Sequence, residues 1–228
     1  MIQRWLLHLK DLYIIKKQTN GRGKNMRKDS IYYQMMSDEI NTINDYNTRE
    51  FALKLLDEIP EYFFTVPASS SGKYHPENDL GEGGLVRHSI SVKRILDHLL
   101  VLEGYFTFTN KEKELLKVAA LFHDCMKSGT QSDYVANEHT KFLHPIFASA
   151  FILVQAATVS FPYNDAMFIA DAIASHMGQW HKSDRENGSL PTPVSDAQKI
   201  LHLADYMSSR KDINMKLEKP EISIELKQ

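Results

Sequence analysis

A chain of 228 residues with 43% apolar and 25% charged side chains has room for one compact domain. Its longest apolar stretch, IFASAFILVQAATVSF, is broken by Ser and Gln, which excludes a spanning segment there and predicts a buried helix. The single cysteine, Cys125, excludes an internal disulfide and suits a reducing cytoplasm, the expected location. The net charge of −2 hides an asymmetry, because residues 1–28 hold eight Lys or Arg against Asp11 alone. That leaves −9 on residues 29–228 and argues against a broad, non-specific nucleic-acid surface.

In chain order, residues 1–28 read as a basic arm or extension, with a linker-like TNGRGKN and Met26 as an alternative start. Residues 29–228 read as a single helical domain. Helical periodicity begins at NTREFALKLLDEIPEYFF, with Asn47 as the expected cap, Glu50 three residues on, and a stop near Pro60. ASSSGKYHPENDLGEGG is irregular and rich in Ser, Gly and Pro. LVRHSISVKRILDHLLVLEG then predicts a helix ending before Gly104. TNKEKELLKVAALFHDCMKSG predicts one that opens on a Thr109–Glu112 capping box and closes at Gly129. HPIFASAFILVQAATVSF starts with Pro145 in the first helical turn, and YNDAMFIADAIASHMG runs to Gly178. After the loop QWHKSDRENGSLPTPV, Ser195 and Gln198 form a second capping box before AQKILHLADYMSSRK. No strand-like alternation or internal repeat competes, so the fold class is an all-α bundle.

Placed on these helices, His88, His123, His176 and Asp205 fall on apolar stripes, and His144 stands at the mouth of its helix. One histidine on an apolar face is ordinarily a hydrogen-bonded core residue. Several imidazoles and carboxylates converging from separate helices are another matter, because buried ionisable groups are costly unless paired or metal-bound. Imidazole with carboxylate is ligand chemistry for one or two divalent ions among Mn, Fe, Co, Ni and Zn, with Mg also admissible.

The order His88, His123-Asp124, Asp205 resembles the HD-domain metal-dependent phosphohydrolases. The segments GGLVRHS, HDCMKSG, FLHP, SHMG with LPTP, and LHLADYM are similar to the HD domain of bacterial 3′–5′ exoribonuclease-like members, over residues 83–211. The resemblance implies an HD-type helical bundle with its metal site in a core cleft. It implies that His88, His123, Asp124 and Asp205 hold a first ion, and that His144 and His176 belong to a second, with Asp124 bridging. Met177 stands where many two-metal members have a further histidine, and residues 1–60 show no strand pattern for the nucleic-acid module of the exoribonucleases.

The activity implied is hydrolysis of a phosphoester bond in a nucleotide or short oligonucleotide by metal-activated water, with Asp124 and Lys127 as catalytic residues. Lys127, three residues beyond Asp124, is the expected phosphate ligand or general acid. Lys73, Tyr74 and His75 from the Ser-rich loop, Arg87 beside His88, and Trp180 after SHMG are the expected substrate contacts. Cys125 is expected to pack rather than react, and His8, His98, His139 and His202 carry no assignment. Two other classes share the pattern: a di-iron oxygenase of the same fold and a nucleotide-sensing module without turnover. Lys127 and the phosphodiesterase-like segments favour the hydrolase, and the full ligand set disfavours a pure sensor.

Overall fold

The computed structural model describes residues 28–69, 72–102, 104–136, 140–184 and 188–213, so the basic arm lies outside the described residues. Seven α-helices occupy the described chain: α1 (Ile31–Ile40), α2 (Tyr46–Glu58), α3 (Gly84–Leu100), α4 (Asn110–Phe122), α5 (His144–Thr158), α6 (Tyr163–Ala174) and α7 (Asp196–Ser208). A two-residue hairpin, β1 (Lys182–Ser183) with β2 (Gly188–Ser189), is the extended pairing among them. The all-α expectation holds.

α3 is the hub. It packs on α4 and α7, while α4 also lies against α6, and α5 and α6 form an antiparallel hairpin. Leu85, Leu96, Leu116, Phe122, Ile152 and Ile173 are fully buried where these helices meet. Each such side chain contributes about 1.5–3 kcal/mol relative to exposure. Both expected capping boxes are present, Thr109 with Glu112 and Ser195 with Gln198.

Several boundaries differ from the sequence reading. α1 was not anticipated. It is tied to α3 by buried Glu39, which accepts from Lys93 Nζ at 3.0 Å and from Arg94 Nη2 at 2.9 Å. α2 is capped by Asp45, not Asn47: the Asp45 carboxylate accepts the Thr48 N–H at 2.9 Å, and the Lys111 ammonium and Thr48 hydroxyl hold its pKa down at about 2. α4 stops at Phe122 and α6 at Ala174, so His123 and His176 lie beyond the last helical residue of their helices, not within a continuous stripe.

The two glycines that precede His88, Gly83 and Gly84, have separate steric duties. Gly83 caps α3 with φ +67° and lies against the Tyr32 ring, 2.1 Å from where a Cβ would stand. Gly84 lies against the Asp79 carbonyl oxygen, again 2.1 Å from a Cβ position. No other residue permits that backbone and that approach together.

Candidate metal centre

The His123-Asp124 pair sits where α4 gives way to successive i→i+3 turns, Cys125 N–H to Phe122 O at 3.1 Å and Lys127 N–H to Asp124 O at 3.0 Å. That change of winding turns two adjacent side chains inward together, which a continuous helix would prevent. Tyr62 anchors the turn, its hydroxyl donating to Gly129 O at 2.6 Å and accepting the Ser128 N–H at 3.1 Å.

Three histidines share one local device. His123, His144 and His176 each donate Nδ1–H to the carbonyl three residues earlier: Ala120, Lys141 and Ile173, all at 2.8 Å. In His123 and His176 these carbonyls belong to the last turns of α4 and α6, and the Ile173 carbonyl also accepts the His176 N–H at 3.2 Å. The bonds fix the tautomer, and every Nε2 lone pair is left facing the interior.

Those lone pairs converge. His144 Nε2 is 3.3 Å from His176 Nε2 and 2.9 Å from Asp124 Oδ1, which also lies 3.6 Å from His176 Nε2. His123 Nε2 is 3.6 Å from Asp124 Oδ2 and 3.7 Å from Asp205 Oδ1, while His88 Nε2 is 3.1 Å from Asp205 Oδ1. His88, His123, Asp124, His144 and His176 are all at most 2% exposed. His123 Nε2 and Asp124 Oδ1 are buried without a hydrogen bond, the latter despite its closeness to His144.

A donor set of this kind fits a divalent cation. Two imidazole nitrogens about 2.1 Å from one ion stand roughly 3.0–3.4 Å apart across right-angle to tetrahedral geometry, and the His144–His176 separation of 3.3 Å falls in that interval. Among the described residues three groups offer ligand atoms all within 4.8 Å of one another, and two of them belong to this cluster: His88, His123 and Asp205, and His123, Asp124 and His176. Asp124 turns Oδ1 toward His144 and His176, and Oδ2 toward His123 and the Lys127 ammonium.

Charge divides the four histidines, with His123 and His144 held toward the neutral form and His88 and His176 toward the protonated one. Burial lowers the His123 pKa to about 4 despite the nearby carboxylates, so its lone pair stays available over the physiological range. Burial also opposes charge on His88, but Asp205 and Asp79 outweigh it and raise the pKa to about 10. Burial lowers His144, whereas Asp124 lifts His176 against its burial. Lys127 and the surrounding histidines hold Asp124 well below the usual carboxylate range, although its burial acts the other way.

Asp79 is the site residue that sequence reasoning missed. It is 1% exposed, and its Oδ2 accepts from His88 Nδ1 at 3.3 Å and from His75 Nδ1 at 3.1 Å. Ser208 Oγ also lies 3.2 Å from His88 Nδ1. His75, Asp79 and His88 meet the spacing for an ion themselves. The arrangement is instead that of an outer carboxylate orienting a ligating imidazole, since one His88 nitrogen faces Asp79 and the other Asp205. His202, left unassigned, donates Nδ1–H to His176 O at 2.7 Å, and its ring fills the space that a side chain at Gly178 would need.

Of the remaining candidates, Lys127 Nζ contacts Asp124 Oδ2 and is mostly buried. Lys73 and Tyr74 are exposed and His75 is half-buried. Trp180 is 43% exposed and stacks on Tyr206 at 5.9 Å and 17°. Arg87 is not brought to the cleft. It is buried, and its guanidinium donates to the carbonyls of Asn78, Leu80 and Glu82 at 2.6, 2.9 and 2.9 Å, bracing the loop that carries Asp79. Cys125 is fully buried, and burial raises its pKa well above the thiol range, so it is no nucleophile. His139 and His8 lie outside the described residues.

An all-helical fold enclosing a buried His/Asp cluster defines the class as a helical domain with a candidate metal site in its core. The profile of the HD domain family matches residues 85–210, and the chain belongs to that family. No curated protein and no solved structure matches the chain. No helix among the described residues is long and apolar enough to cross a membrane.

Proposed function

We propose that the protein is a metal-dependent phosphohydrolase that cleaves a phosphoester bond of a nucleotide or short oligonucleotide. The observation that carries this reading is the meeting of three Nε2 lone pairs, each fixed by an Nδ1–H bond to backbone, with two carboxylates in one buried cluster. In this reading His88, His123, Asp124 and Asp205 hold one divalent ion, and His144, His176 and Asp124 hold a second. When bound, such ions supply a water acidic enough to attack phosphorus near neutral pH and positive charge opposite the phosphoryl oxygens.

The chain's own groups do the rest. Asp124, with Oδ1 toward His144 and His176 and Oδ2 toward His123, is the carboxylate that would join the two ligand groups. Lys127, held on Asp124, places an ammonium beside the cluster, where it neutralises a phosphoryl oxygen or gives a proton to the leaving alkoxide as the P–O bond breaks. Asp79 and Ser208 orient the His88 ring. Tyr74, His75 and Trp180 form the rim, and Lys73 adds a cation there.

A hydrolysis panel tests the reading: p-nitrophenyl phosphoesters, then nucleotides and dinucleotides, with Mn, Co, Mg or Zn, followed by phosphate release and product mass. Metal-dependent turnover that disappears in His123→Ala supports it, and undiminished turnover in that variant refutes the site. An optical spectrum of a mixed-valent iron pair with no hydrolysis would favour the oxygenase class instead.

A further inference from the structure

Beside the candidate centre lies a cluster of rings around a guanidinium. Arg210 Cζ is 4.6 Å from the Tyr206 ring centroid, 5.2 Å from that of Tyr74 and 5.9 Å from that of Trp180. Each ring comes from a segment that also serves the centre: Tyr206 follows Asp205, Tyr74 precedes His75, and Trp180 lies four residues beyond His176. The His75 ring is itself 5.2 Å from the His88 ring. An open cavity lined by His75, Pro76, Glu77, Leu80 and Lys211 adjoins the cluster.

Two features distinguish the cluster from a packed lid. Trp180 is 43% and Tyr74 53% exposed, so large aromatic faces remain in water after the rings have packed. Arg210 pairs with no carboxylate among the described residues: Nη2 donates to Ser209 Oγ at 3.1 Å and Nε has no partner. A cation held by three π faces, with no carboxylate partner among the described residues and with Lys211 next to it, suits a ligand that is planar at one end and anionic at the other. Nucleotides have that form, whereas sugar phosphates and inorganic phosphates lack the planar part.

Resting on the hydrolase reading, we infer that Trp180, Tyr206, Tyr74 and Arg210 form the base-binding subsite of the centre. The nucleobase stacks on the exposed Trp180 and Tyr74 faces, and Arg210 with Lys211 draws the phosphates toward the histidine cluster. The Arg210 contacts hold the aromatic platform in one arrangement before the ligand arrives, which lowers the ordering cost of binding.

The test compares adenosine 5′-(α,β-methylene)diphosphate with methylenediphosphonate, which lacks the nucleoside, by calorimetry on the full chain with Mn²⁺. The nucleoside ligand should bind between about 5- and 150-fold more tightly. Trp180→Leu, which keeps an apolar side chain, should remove most of that advantage, with Trp180→Phe restoring much of it. Arg210→Gln should weaken both ligands. In a Trp5→Phe background the nucleoside ligand should quench Trp180 emission and methylenediphosphonate should not. Equal affinity for the two ligands, an advantage that survives Trp180→Leu, or unchanged binding in Arg210→Gln overturns the subsite. Base-dependent binding and quenching without turnover of any phosphoester would sink the hydrolase reading and leave the subsite standing. Turnover without a base preference would do the reverse.

Discussion

Removing the Asp79 carboxylate should loosen metal binding without disturbing the fold. Its backbone duties are independent of the side chain: the carbonyl accepts the Ala68 N–H at 2.9 Å, and the N–H donates to Pro76 O at 3.1 Å. The carboxylate itself orients His88, at 3.3 Å, and His75, at 3.1 Å. Loss of an outer partner of a ligating histidine typically costs 10- to 100-fold in metal affinity. Both contacts are longer than the 2.7–2.9 Å common for charge-assisted bonds, and Ser208 Oγ still lies 3.2 Å from His88 Nδ1. Asp79→Asn retains one acceptor oxygen and loses the charge, so about a tenfold loss is expected, near 1.4 kcal/mol. Asp79→Ala leaves Ser208 alone and should lose about 30- to 100-fold, roughly 2–2.7 kcal/mol. Calorimetric titration of chelator-stripped protein with Mn²⁺ measures both, and far-UV circular dichroism checks the fold. A well-folded Asp79→Ala protein that binds Mn²⁺ within twofold of wild type would refute the orienting role.

Three further outcomes follow from other parts of the molecule. Lys127→Met should lower kcat about a hundredfold while leaving metal stoichiometry unchanged, as phosphate release and elemental analysis would show; a kcat within twofold of wild type would remove Lys127 from the mechanism. Metal uptake at pH 7 should release protons, because Asp205 and Asp79 hold His88 at about 10 against its burial, and an ion on Nε2 must displace that proton; calorimetry in buffers of different ionisation enthalpy counts them, and zero release contradicts the assignment. The sign for stability is that a raised His88 pKa supports the stripped fold below its ordinary 6.5 and loses that support as pH rises through about 10. Glu39 behaves oppositely: burial would raise its pKa, but Arg94 and Lys93 lower it below 4.5, so its stabilisation is present above 4.5 and lost as pH falls through the folded value. Glu39→Gln should therefore cost about 2 kcal/mol at pH 7, with a penalty that shrinks in acid, read from denaturant melts at pH 7 and pH 3; an equal penalty at both would show that the Glu39 charge contributes nothing.

Features written in local chemistry were legible in the sequence, and features that depend on distant partners were not. The two capping boxes needed only three residues' separation each, and both formed. The six candidate ligands stood out because ionisable groups interrupted otherwise apolar helical segments. α1 escaped notice because its buried stripe of Tyr33, Met36 and Ile40 includes Glu39, whose partners Lys93 and Arg94 lie more than fifty positions away. Asp79 escaped because an acid among ENDLGEGG reads as a solvated turn. It is buried by the short helical turn Glu77–Asp79 and by the close approach of Gly84, neither of which has a pattern to read. Asp45 prevailed over Asn47 as the cap of α2 through a tertiary bond: the Lys111 ammonium reaches the Asp45 carboxylate at 2.6 Å. Arg87 looked like a substrate ligand beside His88, but a helix turns neighbouring side chains about 100° apart, and Arg87 faces the loop.

The central claim is that imidazoles and acids from five separated segments chelate divalent cations in one pocket. Anomalous diffraction from crystals grown with Mn²⁺, collected on both sides of the metal edge, tests it most directly. The expected result is one or two peaks among the Nε2 atoms of His88, His123, His144 and His176, with an Asp124 oxygen at each. Peaks located elsewhere, or these side chains satisfied by one another with no peak between them, would contradict the account.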